Sequence, residues 1–83
     1  MTLSEAIKYR FLQLLREKRV SVSEVVKKTG IPRTTIDYAL YSGGKHNYSI
    51  ETVEAMAKGT GVELKEFFDS PYFENVDFTR NAV

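Results

Sequence analysis

Residues 21–41 read SVSEVVKKTGIPRTTIDYALY, and the placing of the caps, the glycine and the proline in this stretch decides the fold. Ser21-Val22-Ser23-Glu24 has capping-box spacing, in which a hydroxyl serves the amide three residues on and that residue's carboxylate returns to the cap amide. The pattern predicts a helix through Thr29 with Val25 and Val26 inward and Lys27 and Lys28 outward. Gly30 stops that helix, because glycine closes a helix in the left-handed conformation at little steric cost. Pro32, with no N–H to donate, suits the first turn of a following helix that runs from about Pro32 to Tyr41. Two short amphipathic helices are thus pinned around one turn.

The flanking sequence adds three more helices. Thr2-Leu3-Ser4-Glu5 repeats the capping box and starts a first helix near Leu3, with Ile7, Phe11, Leu14 and Leu15 on one face and an end near Lys18. SGGKHNY (residues 42–48) is a polar, glycine-rich connection. Ser49 caps a fourth helix, IETVEAMAKGT, whose stripe of Ile50, Val53, Met56 and Ala57 is expected to face inward before Gly59 and Gly61 break it. A short fifth helix, ELKEFF, is expected to turn Leu64, Phe67 and Phe68 inward. The expected fold is all-α: a compact five-helix bundle over residues 1–68 and a short C-terminal tail over 69–83. That tail carries Tyr72, Phe73, Val76 and Phe78, which either fold back over their own small core or form a dimer arm on a second subunit.

Composition narrows the function. With 83 residues there is room for one domain, and no cysteine means no disulfide, thiolate metal site or thiol nucleophile. A single histidine, His46, has no ligand-spaced neighbour, so solvent exposure or a phosphate hydrogen bond is favoured over a metal site. There is no glycine-rich phosphate loop before a basic helix and no carboxylate pair in an identifiable pocket, so an enzyme is the weakest reading and no cofactor is expected. Apolar runs are too short to span a bilayer and MTLSEAIKYR lacks the order of a secretory signal, so a cytoplasmic protein beginning near Met1 is expected, with no membrane partner. The net charge of +1 hides an asymmetry: residues 1–48 carry +5 and residues 49–83 carry −4. Such a chain can present an oriented face to a polyanion.

With Val22 as the first position, the buried sites of a helix-turn-helix fall on Val25, Val26, Thr29, Ile31, Ile36 and Ala39, all apolar but Thr29. At these residues the chain resembles the lambda-repressor-like, Xre/Cro family of helix-turn-helix regulators, over about residues 5–68 and including SIETVEAMAKGTGVELKEFF. There are departures. The family commonly has glutamine where Val22 stands, which bonds a phosphate, and a close-packed alanine where Val26 stands. Its ion pair between helices one and three is replaced by Leu15 and Leu40, and the SGGKHNY connection is longer than usual.

The resemblance implies that the third helix enters the major groove, about 12 Å wide, with Arg33, Thr34, Asp37 and Tyr38 as its DNA base-reading residues. Arg33 suits a bidentate contact to guanine. Asp37 admits two roles, accepting from a cytosine amino group or orienting Arg33 across the i, i+4 spacing. Phosphate contacts are expected from Lys45, His46, Asn47, Tyr48 and Ser49 around the start of the fourth helix. The implied function is a sequence-specific transcriptional regulator, a repressor, on double-stranded DNA as a homodimer. The alternative is a protein-binding antitoxin or adaptor on the same bundle, its aromatic tail holding a protein partner.

Overall fold

A computed structural model describes residues 1–41 and 48–76. It contains α1 (Leu3–Lys18), α2 (Val22–Thr29), α3 (Arg33–Tyr41), α4 (Ile50–Thr60), α5 (Leu64–Phe68) and a single 3-10 turn, Pro71–Asn75. The expected all-α bundle of five helices is observed, with no strand among the described residues.

Both capping boxes form. Thr2 and Ser21 accept from the amides of Glu5 and Glu24 at 3.1 Å, and each carboxylate returns to its cap amide at 2.8 Å. The hydrogen bond from the Thr2 amide holds the Glu5 carboxyl below the usual carboxylate range. α3 begins one residue later than expected, because the Pro32 carbonyl already accepts from Thr35 and Ile36 and the proline acts as the cap.

Phe11, Leu14, Val25, Ile36, Met56 and Phe67 form the fully buried centre. α4 runs through it, touching α1, α2 and α5, while α2 also meets α3. Burying such a set removes each side chain from water at about 1.5–3 kcal/mol apiece, the main driving force for a domain this small. Leu40 is buried and Leu15 packs half-buried against the same core, so two leucines stand where relatives are expected to carry charge.

Four expectations change. Ile50 is 79% exposed, because the buried arc of α4 consists of Thr52, Val53, Met56, Ala57, Gly59 and Thr60 and Ile50 lies about 100° from its middle. An apolar-only stripe misses that arc, half of which is threonine and glycine. Gly59 does not break α4; the helix continues to Thr60 and ends at Gly61. Glycine at 59 instead admits α2, since a Cβ there would lie 2.5 Å from Val25 Cγ1. Leu64 and Phe68 are about two-fifths exposed rather than inward.

The start of the tail folds back on its own chain. Ser70 caps the 3-10 turn, Tyr72 stacks on Tyr9 of α1 at 6.2 Å, and Phe73 meets Phe68 at 4.9 Å and Phe67 at 6.3 Å. Tyr72 and Phe73 thus pack on their own chain, while Phe78 lies outside the described residues. Arg10 fastens this end. Its buried guanidinium donates 2.8 Å bonds to the carbonyls of Glu66 and Phe67, in the last turn of α5, and to Gln13 Oε1. These three neutral oxygens satisfy a buried cation that has no carboxylate partner among the described residues.

Candidate nucleic-acid interface

The direction of α3 is set first by the turn before it. The α2 helix ends with Gly30 at φ +78, its amide bonded to the Val26 carbonyl at 2.8 Å. Thr29, the polar exception among the motif's inner positions, is half-buried. Its hydroxyl donates to the Val25 carbonyl at 2.7 Å and accepts from the Ile31 amide at 3.3 Å. A threonine here supplies what an apolar residue cannot, a local partner for the amide that leaves the helix.

The back of α3 consists of Ile36, Ala39 and Leu40, all buried in the core. Its front presents Arg33, Thr34 and Tyr38 to solvent, with Asp37 half-buried beside them. All four sequence-predicted base-reading residues therefore share one outward face. Arg33 does not extend freely. Its Nη1 donates to Ser23 Oγ of α2 at 2.8 Å, and its Nε lies 3.6 Å from Asp37 Oδ2. The second of these is the i, i+4 pairing that was one of the two roles open to Asp37; Ser23 was not singled out from the sequence. No local signal marks it, because the two partners are ten residues apart on different helices.

Of the expected phosphate-binding residues, Lys45, His46 and Asn47 lie outside the described residues. Tyr48 is half-buried, and its hydroxyl donates to the Ala39 carbonyl at 2.9 Å, tying the entry of α4 to the end of α3. That bond commits the phenolic proton inward, away from any phosphate. Burial also pushes the Tyr48 phenol up to about 12. Ser49 is the N-cap of α4; its Oγ accepts from the Thr52 amide at 3.1 Å and lies 2.9 Å from Thr52 Oγ1. The Val53 amide bonds the Ser49 carbonyl, so the first-turn amides of Ile50 and Glu51 are those the helix does not use.

Residues from both charge halves of the sequence meet at one place. A cleft of about 550 Å³ between the α2–α3 turn and α4 brings Lys28 together with Glu51, Glu54 and Lys58. Among the described residues, no group of three or more His, Asp or Glu side chains could hold a metal ion, and no helix is long and apolar enough to cross a membrane.

A helix packed against α2 with its back sealed in the core, and with arginine, threonine and tyrosine on its exposed face, defines a helix-turn-helix DNA-binding protein. Residues 10–71 match the Cro/C1-type HTH DNA-binding domain, and the chain belongs to that family. It is accordingly a sequence-specific DNA-binding transcriptional regulator of a non-catalytic family, with double-stranded DNA as its partner. No curated protein and no solved structure matches the chain significantly. The matched segment extends past Phe68 to Pro71, so it includes α5 and the residue that opens the 3-10 turn.

Proposed function

We propose that the protein is a cytoplasmic repressor that binds a pseudo-palindromic operator as a homodimer, each subunit placing α3 in the major groove. Arg33, Thr34 and Tyr38 face base edges, with Asp37 beside Arg33. The α4 N-terminus, through Ser49 and the amides of Ile50 and Glu51, faces a phosphate, and Lys45, His46 and Asn47 add contacts from the adjoining connection. Val22 contributes no phosphate bond, which shifts that work toward α4. The observation that carries the reading is the division of α3: Ile36, Ala39 and Leu40 are sealed in the core, while the residues able to read bases all project from the opposite side. The antitoxin or adaptor alternative rested on the aromatic tail, and Tyr72 and Phe73 are engaged with Tyr9, Phe67 and Phe68 of the same chain.

Selection of bound duplexes from random DNA tests this directly. The expected product is a two-fold symmetric sequence with half-sites about one helical turn, roughly 10 base pairs, apart. On the selected site, Arg33→Ala should weaken binding about 10- to 100-fold while changing non-specific binding little, since one bidentate base contact is worth roughly 1–3 kcal/mol. Equal losses on specific and random DNA would remove Arg33 from the base-reading set. An asymmetric single half-site would remove the homodimer.

A further inference from the structure

The contacts of Arg33 are peculiar for a surface side chain. About half-exposed, it is held at two of its three nitrogens, by a serine on another helix and by an aspartate on its own. Exposed pairs of this kind add little to folding stability. Their effect falls instead on the side chain itself, since a free arginine keeps large rotamer entropy and surrenders it when it binds. We infer that Ser23 and Asp37 are positioning residues that fix the Arg33 guanidinium for guanine, so that specificity is set by a three-residue clamp spanning α2 and α3. This rests on the major-groove placement of α3 proposed above.

The donors left over on Arg33 explain why the clamp selects a base. Ser23 occupies one N–H of Nη1 and Asp37 neutralises the Nε side. Nη2 and the second N–H of Nη1 have no partner among the described residues. Those donors suit two acceptors side by side, which guanine offers in the major groove as O6 and N7. Adenine presents an amino donor in place of O6, so a guanidinium that cannot swing aside meets donor against donor. A mobile arginine would escape that conflict by turning aside into solvent. Asp37 has a second effect: its carboxylate resists close approach to phosphate wherever Arg33 is not in register.

The two positions therefore have different signatures, which a purely structural role would not produce. On the selected operator, Ser23→Ala should lower the ratio of specific to non-specific affinity by about two- to tenfold, the cost of one immobilised long side chain, and leave non-specific binding unchanged. Asp37→Asn should lower the same ratio while raising non-specific affinity, because an anion facing the backbone is removed. Ser23→Thr keeps the oxygen and should behave as wild type. Replacing the contacted guanine by 7-deazaguanine should penalise wild type more than Ser23→Ala, the two changes being coupled in a double-mutant cycle. Ser23 is outside the Ser21–Glu24 capping box, so thermal melting of both Ser23 variants should match wild type. If Arg33→Ala abolishes discrimination but Ser23→Ala and Asp37→Asn leave it intact, the clamp is overturned and the major-groove reading stands. Should Arg33→Ala itself leave discrimination intact, the base-reading assignment fails, and the clamp with it.

Discussion

The helix-turn-helix and the C-terminal clasp lie in one small molecule but are held by bonds of different range. Between Ser21 and Tyr41 almost every stabilising hydrogen bond closes within four residues: the capping box of α2, the Thr29 hydroxyl, the Gly30 amide and the Pro32 carbonyl. From Leu64 to Val76 the decisive bonds come from the far end of the chain, where Arg10 reaches carbonyls 56 and 57 residues away and Tyr9 receives Tyr72. Short-range bonds make a unit whose shape is set early and locally. Long-range bonds make one that exists only after the rest has packed. The helix-turn-helix is of the first kind, and it depends on the rest chiefly for the surface behind it.

The sharpest way to break this comparison is to remove the clasp's fastener. Arg10→Ala should cost about 2–4 kcal/mol, since it strips charged hydrogen bonds from one buried and one part-buried carbonyl and leaves a void between α1 and α5. Amide exchange should show the loss of protection falling first on α5 and the 3-10 turn, with α2 and α3 opening only in global unfolding. Uniform loss of protection across all helices would show that the two regions are not separable units.

A smaller effect is expected where the helix-turn-helix leans on α4. Gly59→Ala gains helix propensity of about 1 kcal/mol but drives a methyl into Val25, so a net loss of about 1–3 kcal/mol is expected in thermal or chemical melts. Because α2 must shift to accept it, operator affinity should fall as well. A stabilised Gly59→Ala protein would show that α2 and α4 are not in obligatory close contact.

The smallest effect sharpens the link between α3 and α4. Tyr48→Phe loses one hydrogen bond to the Ala39 carbonyl, about 1 kcal/mol at neutral pH. The wild-type phenol titrates near 12 in the folded state against an ordinary value of 10. Below pH 10 it is protonated in folded and unfolded chains alike and its contribution is fully present. Between pH 10 and about 12 the unfolded chain ionises first, so stability falls as pH rises. Denaturant melts across that window should show a shallower fall for Tyr48→Phe than for wild type.

Legibility followed the range of the interactions. Both capping boxes, the Gly30 stop and the outward set on α3 were readable because each is an i, i+3 or i, i+4 relation. The inward face of α4 was misread at Ile50 because threonines and a glycine supply half of its buried arc, and their suitability depends on what packs there. Leu64 and Phe68 failed as inward residues for a related reason: α5 is only five residues long, too short for periodicity to fix a face. At the interface, Asp37 beside Arg33 was anticipated from spacing, whereas Ser23 and the inward-turned hydroxyl of Tyr48 were not.

The sequence by itself determined five helices, the turn between the second and third, and which side of α3 meets solvent, because caps, glycine, proline and helical period act over one or two turns of chain. Only the tertiary structure decided that Arg33 is held by Ser23, that Gly59 is a contact rather than a break, and that Arg10 draws the end of α5 onto α1. Each of these depends on side chains from separate helices arriving within a few ångströms of one another, and that proximity is a property of the packed core.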